Sequence, residues 1–229
     1  WEEAMDMYKA AYDVESYSDA FKMYRKDLVS KYIFLIILVI VVLLVAVAKF
    51  FGFAGKVNKR TATKKGKKNF GEQILYAFHV MFHPFDGFWD LKHEKRGSVA
   101  SATFWLAMVI LAFIYQSFGT GYIVKGATTT SVAGGAFAQA MGILLPLLLF
   151  VTANWCLTTL FDGEGSFKDI FVASSYSLLP LPLLIIPATL VSNWVSSSEA
   201  SIITFIGTLA FIWVGILLFF GTMVTHDYS

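Results

Sequence analysis

The sequence predicts an all-α, polytopic membrane helix bundle with about five transmembrane helices and one interfacial amphipathic helix. Three observations predict it. First, 57% of the 229 residues are hydrophobic and the mean hydropathy is +0.64, against about 45–50% apolar residues in globular proteins. Second, the excess is gathered into runs long enough to cross a hydrocarbon core. Third, the apolar stretch that follows the polar turn Asp162-Gly163-Glu164-Gly165 carries Pro180, Pro182 and Pro187. In water this density of proline would end a helix, whereas in a bilayer neighbouring helices or hydroxyl groups serve the freed carbonyls. Those carbonyls belong to Tyr176, Leu178 and Leu183, and Ser174, Ser175 and Ser177 stand close by in sequence. Such a helix needs protein around it, so the other spans are expected to pack about it.

Residues 1–31 are polar and helix-prone, with Tyr8, Tyr12, Tyr17, Ala20 and Tyr24 at helical spacings. The pattern loosely resembles one tetratricopeptide unit, two helices with a turn near Ser16 and Ser18. One unit cannot bury its apolar face alone. The chain starts at Trp1, so the segment is expected to be the end of a larger soluble domain, outside the membrane; the alternative is a helix that extends the first membrane span. Residues 32–50 form the first anchor: Ile33 to Phe50 has no polar group or proline before Lys49, which suits a helix facing lipid. Residues 51–69 read as a basic cytoplasmic loop, with Lys56, Lys59, Arg60, Lys64, Lys65, Lys67 and Lys68 and no acidic residue. This is the positive-inside signal. Nucleic acid is not expected as a partner, because nothing aromatic is interleaved with these charges.

Residues 70–229 read as the main membrane domain. Asn69 and Glu72 have capping-box spacing. Phe70, Ile74, Phe78 and Met81 then fall on one face of a helix, and Glu72, Tyr76, His79 and His83 on the other, as expected of a helix lying in the interface. His83 to Gly97 reads as an interfacial elbow, with Phe85, Phe88 and Trp89 at headgroup level and Asp86-Gly87 as a tight turn. The remaining spans are Val99–Phe118, Gly135–Leu160 with Pro146 inside it, Ile170–Val191 and Ile202–Val224. Pro146, Pro180, Pro182 and Pro187 are expected to mark structural breaks. Small residues at packing spacing, Ala173 with Ser177 and Gly207 with Ala210 and Gly215, support close helix contacts. The single Cys156 excludes an internal disulfide and reads as a small buried residue. The spans place the N-terminus outside and the C-terminus in the cytoplasm.

The stretches HPFDGFWDLKHEKRG and FDGEGSFKDIFVASSYSLLPLP, in this order among hydrophobic spans, resemble the Yip (Ypt-interacting protein) domain, in its bacterial branch. The resemblance covers about Phe70 to Val224. It implies a five-span membrane module with no established catalytic activity. Eukaryotic relatives sit in ER and Golgi membranes and bind small GTPases. Some bacterial relatives are associated with carbohydrate ABC transporters, which implies a bacterial plasma membrane and permease subunits as partners beside the lipid bilayer.

The chemistry in the sequence is sparse. His79 and His83 stand at metal-ligand spacing, but no Glu follows His79 to make HExxH, and no metal is expected. The Asp162 turn lacks the glycine and glutamate of a calcium loop and the Gly-Lys-Ser/Thr of a phosphate loop. Ser174, Ser175 and Ser177 have no base nearby in sequence, and no cofactor is expected. The chain is therefore expected to be a non-enzymatic accessory or scaffold subunit of a larger assembly. A transporter or channel-like protein for a lipid or small solute is the alternative, since discontinuous helices line binding sites. The expected partner-docking platform joins His83, Pro84, Phe85, Asp86, Trp89 and Asp90 to Asp162, Gly163, Gly165 and Lys168. In it Asp86 or Asp90 meets the start of the proline-bearing helix and Lys168 pairs with the other aspartate.

Overall fold

The computed structural model describes residues 1–63, 68–126, 135–160 and 165–226. These residues form helices only. They are α1 (Glu2–Ala10), α2 (Val14–Ala62), α3 (Phe70–Phe82), α4 (Pro84–His93), α5 (Val99–Gly119), the short α6 (Tyr122–Lys125), α7 (Gly135–Leu160), α8 (Phe167–Ser177), α9 (Pro180–Val191) and α10 (Ala200–Thr225). Among the described residues five helical stretches are long and apolar enough to cross a membrane: α2, α5, α7, α8 with α9, and α10. The chain is an all-α, multi-pass membrane bundle.

The centre is the span made by α8 and α9. Its most apolar window is 72% buried, more than in any other span. Tyr76, Val80, Phe88, Ala102, Val172, Tyr176 and Leu217 form one core cluster around it, and Val109, Val151, Leu181, Ile185 and Ala210 belong to a second. Ala173, Ser177 and Ala210 are buried at contacts, as their spacing predicts. A Cβ added at Gly207 or Gly215 would meet nothing within 4 Å; the close approach is at Gly221, where a Cβ would meet Phe88 at 3.2 Å and Ser177 at 3.4 Å.

The break in this span falls at Leu178–Leu179, just before Pro180. Pro180 opens α9 and Pro182 follows within its first turn, where a missing N–H removes no intrahelical bond. Pro187 and Pro146 are not breaks: both lie inside continuous helices. Residue 142, whose carbonyl faces the Pro146 ring, is a glycine with open space around it. The serines do not serve the freed carbonyls either. Those of Tyr176 and Leu178 accept from the N–H groups of Leu179 and Leu181 at 3.3 and 3.0 Å, as i→i+3 turns. Ser177 donates to the Ala173 carbonyl at 2.9 Å, and the buried Ser175 hydroxyl makes no hydrogen bond to the described residues.

Several expectations in the first third of the chain are corrected. The turn after α1 lies at Ala11–Asp13, with Tyr12 at φ 58°, and Asp13 caps α2 by accepting from Ser16 N–H at 3.0 Å. Ser16 and Ser18 are inside the helix. The first anchor is not a separate unit. It is the middle of the 49-residue α2, which bends at Tyr32, where the polar part meets the apolar part. The expected basic loop is helical as far as Ala62, because this end packs on α3: Ala54 is buried, and Asn58 Nδ2 donates to the Leu75 carbonyl at 3.3 Å. Lys64, Lys65 and Lys67 lie outside the described residues. Cys156 is exposed on α7, a helix whose apolar window is only 11% buried.

The elbow of residues 83–97 is largely the helix α4. Gly87 is helical, and its value is close approach: a Cβ there would sit 2.7 Å from the Val80 Cα of α3. The capping box of Asn69 and Glu72 is present. However, α3 does not present a polar face outward. Tyr76, Ala77, Val80 and Met81 are all buried, while Phe70 and Phe82 are exposed.

Candidate functional site

The polar residues of the chain gather at the end of the bundle formed by the end of α2, by α3 and α4, and by the starts of α5 and α8. Arg96 is the hub. Its Nη1 donates to Asp90 Oδ2 at 3.0 Å, and its Nη2 donates to the Asn58 carbonyl at 2.8 Å and to Thr61 Oγ1 at 2.7 Å. Tyr76 donates to the same Asp90 oxygen at 2.7 Å, and its ring lies under the guanidinium at 4.1 Å. Burial, then the Asp90 carboxylate, raises the Tyr76 phenol far above its ordinary range. Four segments (α2, α3, α4 and the connection to α5) are thereby tied together by one buried charge pair. Such a pair adds little net stability, but removing one partner is severe.

A second knot lies next to it. Tyr176 of α8 donates to the Gln73 carbonyl at 2.9 Å, and its oxygen stands 2.8 Å from the Ser101 hydroxyl. Lys68 Nζ reaches the Thr61 carbonyl at 2.6 Å. Gly97 is closely packed here: a Cβ would meet the end of the Leu91 side chain at 2.6 Å and the Tyr176 oxygen at 3.2 Å. His79 and His83 stack with ring centroids 4.7 Å apart. Burial, then the neighbouring His83, holds His79 below the ordinary imidazole range, so it is neutral at pH 7. Among the described residues no three His, Cys, Asp or Glu side chains gather to hold a metal ion.

The two halves of the expected platform adjoin: α4 packs on α8, and both line one cavity. Within it, the roles differ from those expected. Asp90 turns inward to Arg96 and Tyr76 and does not meet the start of α8. Asp169 takes that place, accepting from Ser166 in a capping arrangement. Lys168 lines the cavity beside Asp169. His83, Phe85, Asp86 and Trp89 are exposed on the outer side of α4, and Pro84 is half-buried. Trp89 stacks on His93 and Phe85 contacts Phe220, both at 4.6 Å between centroids. Gly165 is buried against His226. Asp162 and Gly163 lie outside the described residues.

The Yip1 domain profile matches residues 78–229. The chain belongs to the Yip1 domain family. The matched residues hold four of the five candidate spans, while α1, α2 and the first half of α3 precede them. No curated protein and no solved structure matches the chain. Within the Yip1 domain, Asp90, Arg96, Ser101 and Tyr176 make the contacts described above; their partners Asn58, Thr61, Gln73 and Tyr76 stand before it. Sequence reasoning gave neither Arg96 nor Tyr176 a role at this site. The one available signal was a tyrosine inside the proline-bearing span, where its hydroxyl must find a partner.

Proposed function

We propose that this Yip1 domain protein is a non-enzymatic, membrane-embedded accessory or scaffold subunit of a larger assembly. The observation that carries the reading is the Arg96–Asp90–Tyr76 cluster. Among the described residues the most deeply placed ionic groups engage one another and neighbouring carbonyls, holding helices together. The resemblance to the bacterial branch supports a place in a bacterial plasma membrane, beside the permeases of a carbohydrate ABC transporter. The clustering of Lys56, Lys59, Arg60, Lys68, Lys92, Lys95 and Lys168 at the end described above supports a cytoplasmic position for that end, with residues 1–31 outside. Purification of the tagged full chain in mild detergent, with quantitative mass spectrometry, tests this. The expected result is a membrane permease in fixed stoichiometry; a chain that purifies alone from its native membrane contradicts it.

One observation favours a second reading, a transporter-like protein for a lipid or small solute. A cavity of about 420 Å³, almost wholly apolar, opens at the helix break between Pro146, Phe150, Leu178, Leu181 and Phe211. Solute flux or lipid scrambling by the purified chain in liposomes would support this second reading.

A further inference from the structure

A cavity of about 350 Å³ lies between the C-terminal part of α2 and α3. Phe51, Phe78 and Phe82 form its apolar walls, and Asn58, His79 and His83 supply its polar groups. Asn58 is only 8% exposed. Its Nδ2 donates to the Leu75 carbonyl, but its Oδ1 is buried and accepts no hydrogen bond among the described residues. A buried acceptor without a donor is costly and asks for an explanation. Gly55, in the same lining, is a second observation. It stands inside α2, where glycine is less favourable than alanine. A Cβ added there would meet nothing within 4 Å. A side chain at this position would fill the cavity, and the chain leaves it open.

The cavity is graded from end to end. Asn58 meets Leu75 at one end, and Phe51 meets Phe78 and Phe82 about two helical turns away. Lys49 ends the apolar run of α2. The cavity therefore stands at the boundary of hydrocarbon and headgroups, with its aromatic end toward the hydrocarbon. The apolar middle of α2 beyond it is exposed, free to lie along acyl chains. Pockets of about 300–1,000 Å³ with apolar walls and a few placed polar groups hold small ligands. The eight described residues of this lining include no Lys, Arg, Asp or Glu. His79 is neutral at pH 7, so its ring offers one donor and one acceptor. A hydroxyl group can donate to Asn58 Oδ1 and pair with either nitrogen of His79. An ionised phosphate only accepts, and cannot serve Oδ1.

We propose that this cavity binds the hydroxyl headgroup of an uncharged lipid, of which diacylglycerol is the simplest, with the acyl chains running along α2. The test uses the purified full chain in phosphatidylcholine nanodiscs with a photoreactive diacylglycerol. Saturable labelling is expected within residues 51–58 and 78–83. Unlabelled diacylglycerol should suppress it about tenfold more effectively than the same lipid with its hydroxyl methylated, as for one hydrogen bond to a buried acceptor. Phosphatidic acid should not suppress it. Gly55→Leu, which fills the cavity, should abolish the saturable labelling while its unfolding midpoint is unchanged or higher. The methyl ether comparison is made on the wild type, so it does not depend on that variant folding. Labelling that never saturates, as for bulk lipid, would overturn the proposal. So would equal suppression by the methyl ether or by phosphatidic acid, or saturable labelling kept in folded Gly55→Leu.

Discussion

The two most informative helices are opposites. The α2 window has the highest mean hydropathy of any span, 3.3, and none of it is buried within the chain. The α8–α9 span has a mean hydropathy of 1.8, three prolines and several serines, and is 72% buried. In water this order would be reversed. In a bilayer, lipid tails are as apolar as leucine, so a purely aliphatic helix gains no hydrophobic free energy by packing on protein. A broken helix with hydroxyls does need protein, because its backbone and side-chain groups have no partner in hydrocarbon. Accordingly α2 is attached to the bundle near its two ends. Asn58 and Thr61 join it to α3 and the Arg96 cluster, and Arg25 and Ser18 bond to the 194–199 loop, while the middle stands free of it.

The largest expected effect breaks one of these attachments. Arg96→Ala leaves Asp90 and the Asn58 carbonyl without their buried cation, and should destabilise the protein by about 3–5 kcal/mol. The unfolding midpoint in mild detergent measures it, and Arg96→Met/Asp90→Leu should recover much of the loss. A smaller effect sharpens the contrast directly. Ile185→Ala, in the central span, should cost about 2–5 kcal/mol, whereas Ile40→Ala, in α2, should stay within about 0.5 kcal/mol. Equal costs would erase the distinction. Tyr176→Phe should cost about 0.5–1.5 kcal/mol by losing its hydrogen bonds to the Gln73 carbonyl and Ser101, again read from the unfolding midpoint.

The smallest effect concerns the other attachment. Arg25 pairs with Glu199 at 2.6 Å and also donates to the Trp194 carbonyl at 2.7 Å. The Arg25 hydrogen bond, with the Ser196 N–H, lowers the Glu199 carboxyl from 4.5 to about 2. A lowered carboxyl contributes stability above its unfolded pKa, and that stability is lost as the pH falls through the folded value. The contact should therefore weaken between pH 4.5 and about 2. Glu199 is only partly buried, at 38% side-chain exposure, so only local loosening is expected. Proteolysis within residues 14–31 should rise in acid in the wild type, and be raised already at neutral pH in Glu199→Gln.

Much of the fold was legible because bilayer physics is severe: the spans, the centrality of the proline-bearing helix and the lipid-facing anchor follow from hydropathy and backbone satisfaction. The candidate site was less legible. The charges in LKHEKRG look alike in sequence, yet Arg96 is buried and paired while Lys95 is strained and lines a cavity. Which of them turns inward depends on α4 continuing as a helix past Asp86-Gly87, a dipeptide that reads locally as a turn. Gly87 was made useful by the closeness of α3, a tertiary fact. Likewise the polar pattern of α3 placed Tyr76 in solvent, because its partners Asp90 and Arg96 lie 14 and 20 positions further along the chain.

The contrast between the two spans is tested most directly by a photoreactive phospholipid on the wild-type chain in nanodiscs, with cross-linked residues mapped by mass spectrometry. Cross-links are expected on every face of residues 33–48 and on the outward side of α10, at Phe205, Phe211 and Phe219, all exposed. None is expected within residues 172–182, all buried. Cross-links confined to one face of α2, or appearing within residues 172–182, would contradict a protein-packed broken span at the centre and a lipid-facing span tethered at its ends.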